Sequence, residues 1–291
     1  MKRFLLALTA ALSFALPGFI SQACAEPPVW HITSGKARIT LFGSVHLLSE
    51  TAAWKSPALL KDLDAAKSVW FEVPFDAAGR SEAAQAAAAL GLAPPGAPLS
   101  NLLDEATMAR LQRVAPAVGV SAAGLEFFQP WLAEVALGLA YVQRQGARED
   151  LGVEAQIQAL AKPSAARKAF ETPRQQIGFF ADAPLKAQAA SLGETLRQIE
   201  EEPDGFKDLE AAWIAGDVKG LETEALLPLK QAAPEVFERL VTRRNQAWAA
   251  TIEGLLKSGE QAFIVVGVGH LIGPDGAPNL LRRKGFTVEG P

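Results

Sequence analysis

Apolar positions recur with strand-like spacing at both ends of the chain and with helical spacing between them. Near the start, residues 30–33 and 37–42 are rich in β-branched and aromatic side chains and flank Ser34-Gly35-Lys36, which predicts two short strands joined by a turn. Residues 57–67 carry Leu59, Leu60, Leu63 and Ala66 at helical spacing, with Pro57 suited to a first turn. Residues 69–75 then predict a strand. The order is strand, Gly43-Ser44-Val45-His46, helix, strand. The carboxyl end repeats it: a long amphipathic helix over 235–257 closed by Ser258-Gly259, a β-branched strand over 262–266, then Gly267-Val268-Gly269-His270 at once. A short basic helix over 278–284, capped by Gly285, and a last strand over 286–289 complete the second copy.

The stretch between the copies is helical in character. Residues 81–92, 104–114, 130–145, 153–160 and 185–201 all show helical spacing, with few strand signals and a break at Pro94-Pro95-Gly96. The expected fold is of the α/β class: one domain over 26–291, its central sheet built from two strand, Gly-x-x-His, helix, strand units (about 28–76 and 235–291). These are expected to lie side by side under a helical insertion (about 77–234).

The amino terminus changes which residues count as the mature protein. Met1-Lys2-Arg3 is a positive n-region, residues 4–20 are apolar with a break at Pro17, and Ala23-Cys24-Ala25 suits signal peptidase. Cleavage after Ala25 predicts a periplasmic or secreted protein that meets the membrane only through its leader. An uncleaved anchor is the rival, but Pro17-Gly18 interrupts the run before the roughly 20 residues a span needs. Ser21 stands where a lipobox wants an aliphatic residue. Cys24 is the single cysteine, so cleavage leaves a chain without disulfides, thiolate sites or cysteine nucleophiles. Losing Lys2 and Arg3 lowers the net charge of -4 by two, to -6, which offers no electrostatic footprint for nucleic acid.

Candidate chemistry centres on three histidines, His31, His46 and His270. His46 and His270 each follow a strand, with glycine three residues before and leucine directly after. Glycine lets the backbone turn sharply or approach a ligand closely, and strand ends are where open α/β sheets place their sites. Each histidine alone is more often a structural residue than a ligand; the repeat favours convergence on one crevice. Two imidazoles do not complete a metal site, which needs a third protein ligand and an open position. Glu72 is the candidate, a carboxylate in the apolar run Val69-Trp70-Phe71-Glu72-Val73, costly there unless paired or bound to a cation. Its strand is expected beside the one ending at His46; the alternative is an edge strand with Glu72 facing solvent. Arg244 and Asn245 could steady an oxyanion, against the plainer reading of a solvated helix face. Ser44 lies two residues from His46, roughly 6 to 7 Å along a strand, too far for a serine–histidine pair. Gly267-x-Gly269-x-x-x-Gly273 lacks the helix a dinucleotide loop requires, and there is no Walker lysine, HExxH or Gly-x-Ser-x-Gly motif.

Taken in order, Leu41-Phe42-Gly43-Ser44-Val45-His46-Leu47, Glu72, Leu151-Gly152-Val153-Glu154, Glu171-Thr172, Trp213-x-x-Gly216-Asp217, Arg244-Asn245 and Val266-Gly267-Val268-Gly269-His270-Leu271 resemble the pattern of the TraB/GumN family, over essentially the mature chain. That family is related to the Tiki proteases, which resemble metal-dependent peptidases, and more distantly to erythromycin esterases and haem-uptake lipoproteins. The resemblance implies a divalent metal ion (Mn, Co or Zn) held by His46, His270 and Glu72. Arg244 and Asn245 would be polar support, and Glu154 or Glu171 a general base. The implied substrate is a peptide or a small ester or amide. Glu154 replaces the aspartate of the usual Gly-Val-Asp motif, and Phe170 stands where leucine usually precedes the glutamate. A metal-free esterase-like hydrolase and a non-catalytic periplasmic protein that binds a metal, haem or peptide are the alternatives.

Overall fold

The apolar runs at both ends of the chain become strands of one sheet. In the computed structural model, which describes residues 26–291, β1 (Val29–Ser34), β2 (Ala37–Ser44), β3 (Ser68–Phe71), β4 (Ala166–Ala169), β5 (Gln261–Gly267) and β6 (Val288–Glu289) are ordered β4-β3-β5-β2-β1-β6. The leader expected over 1–25, with Cys24 and the cleavage site, lies outside the described residues. β1 and β2 form a hairpin whose turn places Gly35 at φ +56°. β2, β5, β3 and β4 run parallel, with Gly43 opposite Val266 and Ser44 opposite Gly267, while β1 pairs antiparallel with β2 and β6. The α/β class is as expected.

The two copies interleave rather than lie side by side. The crossover from β2 through the Pro57–Ala65 helix passes β5 to reach β3, and that from β5 through the Ala277–Arg283 helix passes β2 and β1 to reach β6. The two connections leave in opposite directions, so β2 and β5 flank a topological switch point with a crevice outside their carboxyl ends. Glu72 therefore follows the neighbour of β5, not of the strand ending at His46, which corrects the expected pairing. β3 is also shorter than expected: it ends at Phe71, Glu72 is the first residue past it, and Pro74 cannot donate to a ladder.

β4 lies in the stretch expected to be helical. Its sequence, Ala-Arg-Lys-Ala, has no apolar alternation, as suits a short charged edge strand, and by pairing with β3 it removes the edge that would have exposed Glu72. The helix expected over 235–257 runs from Pro234–Phe237 through a π-helical turn, Glu238–Thr242, into Arg243–Ser258, ending at Gly259 with φ +79°. That last helix packs on β1, β2 and the Ala277–Arg283 helix. The sheet core gathers Trp30, Phe42, Trp54, Trp213, Phe263 and Ile252, and the inserted helices have a second core around Leu99, Leu111, Leu137 and Leu192. Among the described residues no helix is long and apolar enough to cross a membrane.

Candidate functional site

The two Gly-x-x-His loops touch, and each glycine makes room for the other loop. A Cβ at Gly43 would lie 2.9 Å from Val268 Cγ2. One at Gly267 would lie 3.2 Å from Glu72 Oε1, 3.7 Å from His270 Cδ2 and 3.8 Å from His46 Nε2. Both histidines and Glu72 thus converge on the bare face of Gly267, whose N–H donates to Glu72 Oε1 at 2.8 Å. Trp213 braces the first loop from beneath, its indole N–H donating to Gly43 O at 2.8 Å.

Each imidazole has its Nδ1 held by a partner from the helices. Val153 begins the Val153–Leu160 helix, and Glu154 in its first turn meets His46 Nδ1 through Oε1 at 2.8 Å. The Ser44 hydroxyl donates to that same oxygen. The Glu154 carboxylate raises the His46 pKa to about 9 against the opposing effect of burial. The His46 ring is 62% exposed, so solvent screening keeps its effect on stability small. Asn245 Nδ2 donates to Asp275 O at 2.8 Å, which turns its Oδ1 toward His270 Nδ1 at 2.7 Å. His270 therefore carries its proton on Nδ1, and its Nε2 accepts from Arg244 Nη1 at 3.0 Å. Burial drives the His270 pKa down to about 3, so the ring is neutral, 4.5 Å from the Trp248 ring.

Arg244 joins the two sides. Its Nε donates to Glu171 Oε1, Nη1 to Leu240 O and His270 Nε2, and Nη2 to Glu72 Oε2 (2.6 Å) and Glu171 Oε2 (2.9 Å). All five guanidinium donors are engaged. Burial pushes the Glu72 carboxyl up; His270 when protonated, Arg244, His46 and the Gly267 N–H outweigh it and hold the pKa at about 2. In neutral solution His270 is uncharged, so Arg244 is the partner that counts. Burial raises the Glu171 pKa, with Arg244 opposing.

A family model described as the TraB/PrgY/gumN family matches residues 28–290. The chain belongs to that family. No curated protein and no solved structure matches it. In this TraB/PrgY/gumN member, the seven residues that the sequence assigns to the site gather at the strand ends, with Arg244 and Asn245 both bonded to His270, while His31 pairs with Asp62 elsewhere. Arg244 (5% exposed) and Asn245 (0%) are buried, not on a solvated face, and follow directly on the π-helical turn. With its donors saturated, Arg244 has none free for an oxyanion, and Asn245 acts through His270. Arg243, by contrast, is exposed and pairs with Glu238.

Sequence reasoning missed Gln176 and Trp248. Gln176 donates to Glu72 Oε2 at 2.8 Å from the Pro173–Ala181 helix, whose Thr172–Gln175 capping box was a readable signal. Trp248 donates to Glu171 Oε1 at 2.9 Å. Gly152, read in the sequence only as part of the Leu151-Gly152-Val153-Glu154 pattern, has a structural reason: a Cβ there would overlap the His46 carbonyl, while the next residue, Val153, donates to Val45 O at 3.1 Å. Gly152→Ala is expected to cost about 1–3 kcal/mol by overpacking and to displace the first loop, as read by urea denaturation.

The donors suit a divalent ion in type and charge. Two imidazoles and a carboxylate are common ligands of such ions, and each imidazole has its other nitrogen fixed, by Glu154 and by Asn245. Three carboxylates with side chains 9%, 7% and 8% exposed meet two cations: Glu72 and Glu171 share the Arg244 guanidinium, and Glu154 pairs with the protonated His46, which leaves one negative charge in surplus. As placed, no three His, Cys, Asp or Glu side chains among the described residues are close enough to share an ion. Arg244 supplies the positive charge between Glu72 and His270, and an ion held there would have to displace its bonds to both.

Proposed function

We propose that this chain is an exported hydrolase of amide or ester bonds that works with a divalent cation. The supporting observation is the convergence on Gly267 of two oriented imidazoles and a carboxylate within surplus buried negative charge. His46, His270 and Glu72 would hold the ion (Mn, Co or Zn). When bound, such an ion polarises a carbonyl and makes water a stronger nucleophile at neutral pH. Glu154 and Asn245 fix the two rings through their Nδ1 atoms, and His46 must give up a proton to act as a ligand. His46 is the site's solvent-facing group, so a peptide or a small ester or amide would approach across its ring. Arg244 pairs with Glu171 and, until the ion takes its place, with Glu72. The leader read in the sequence supports a periplasmic or secreted location.

A metal-free hydrolase is the second reading, favoured by the bonds of Arg244 to both Glu72 and His270. There the Glu154–His46 pair would move the proton.

The deciding measurement uses purified mature protein, wild type, His46→Ala and His270→Ala: bound metal, then hydrolysis of a peptide and ester panel with and without chelator. Both variants are expected to lose metal and roughly 100-fold or more in kcat/KM. Metal binding and hydrolysis that both survive the substitutions would overturn the assignment. Hydrolysis indifferent to chelator selects the metal-free route, and metal loss in a chain that hydrolyses nothing indicates a binding protein.

A further inference from the structure

Ser44, the last residue of β2, is a buried hydroxyl to which the reading above gives no role. Its proton is directed at Glu154 Oε1, the oxygen that also holds His46 Nδ1 at 2.8 Å. It makes no hydrogen bond to the imidazole among the described residues, so it is not placed as a histidine-activated nucleophile. What it does is anchor an anchor. The His46 ring is 62% exposed, and Glu154 is its single hydrogen-bond partner among the described residues. An imidazole held by one bond is only as well placed as the group on the other end of that bond.

The main chain around Glu154 is already fixed: Gly152 abuts the His46 carbonyl, and Val153 donates to Val45 O. The side-chain torsions of Glu154 are not fixed by those contacts. A hydroxyl at the end of β2 settles them, because β2 is held on both sides by β1 and β5 and its last residue, Ser44, is paired with Gly267. We propose that Ser44 is a positioning residue: acting through Glu154, it fixes the His46 imidazole in the orientation that faces the strand-end crevice.

The test has one arm independent of any reaction. In two-bond 15N–1H spectra of the mature protein, with His46 assigned from the spectrum of His46→Gln, Ser44→Ala is expected to shift and broaden the His46 ring signals. Ser44→Thr, which restores a hydroxyl, is expected to return them toward wild type. Should alanine fail to fold, Ser44→Thr and Ser44→Val, equal in shape and differing in the hydroxyl, make the same comparison. The second arm rests on the hydrolase reading: Ser44→Ala lowers kcat by roughly 10-fold, the scale of losing a partner that orients a site histidine, with KM held and threonine retaining most of the rate. Wild-type His46 signals in folded Ser44→Ala, or equal signals in the threonine and valine variants, overturn the proposal. A wild-type chain without hydrolysis overturns the hydrolase reading instead and leaves the spectra to decide on Ser44.

Discussion

Replacing Arg244 with methionine is expected to destabilise the folded chain by about 3–5 kcal/mol, the scale of breaking a buried ion pair by removing one partner. The side chain is 5% exposed and saturates its five donors on Glu72, Glu171, His270 and the Leu240 carbonyl. Methionine keeps much of the volume, so the loss is electrostatic: two carboxylates are left without their counter-ion, and His270 Nε2 loses its donor. The deficit is therefore expected to shrink when one carboxylate is made neutral, as in Arg244→Met combined with Glu72→Gln, and to shrink for the single variant in acid, where its unpaired carboxylates take up protons. Urea denaturation of the four chains of the cycle at pH 7 measures this. A single-variant deficit below about 1 kcal/mol, the scale of an exposed ion pair, would show that Arg244 does not carry the cluster.

That cluster was legible in part. Glu72 stood out because a carboxylate in an apolar strand is an anomaly, and His46 and His270 because each ends a strand behind a glycine. Arg244 and Asn245 read as a solvated face because their partners, Glu171 and His270, lie 73 and 25 residues away in sequence, and helical periodicity carries no trace of such contacts. The apolar runs of β1, β2 and β5 announced themselves, whereas β4 did not, since Arg167 and Lys168 hide a strand whose pairing rests on main-chain bonds. Sheet order was beyond reach for a different reason. A strand–helix–strand crossover specifies handedness but not how many strands it skips, and here one copy skips one strand and the other skips two. The interleaving depends on β5 fitting between β2 and β3, which is decided by packing across more than 190 residues of separation, as in the bond from Gly267 N–H to Glu72.

The same buried arrangement sets how the metal-free protein responds to acid. His270 falls from an ordinary pKa of 6.5 to about 3 on folding, with burial as the main cause. A depressed value means that the unfolded chain takes up a proton near pH 6.5 while the folded chain refuses it. The stability associated with neutral His270 is thus fully present above pH 6.5 and is lost as pH falls toward 3, at up to about 1.4 kcal/mol per pH unit. Glu72, lowered from 4.5 to about 2, contributes stability lost only at lower pH still. His46, raised to about 9, has the opposite sense: its contribution is full below 6.5 and disappears as pH rises through 9, so it adds no slope on the acid side. Glu171, and Glu134 of the Pro130–Arg144 helix, which is buried against Ser191 and Thr195, are raised by burial and offset part of the loss as pH approaches their own range. The difference between wild type and His270→Gln removes these shared terms. After chelator treatment, wild type is expected to lose roughly 2 kcal/mol more than the glutamine variant between pH 6.5 and 5. Parallel stability curves would mean that His270 is protonated freely in the folded chain, and with that the Asn245–His270–Arg244 arrangement, which requires a bare Nε2, would have to be abandoned.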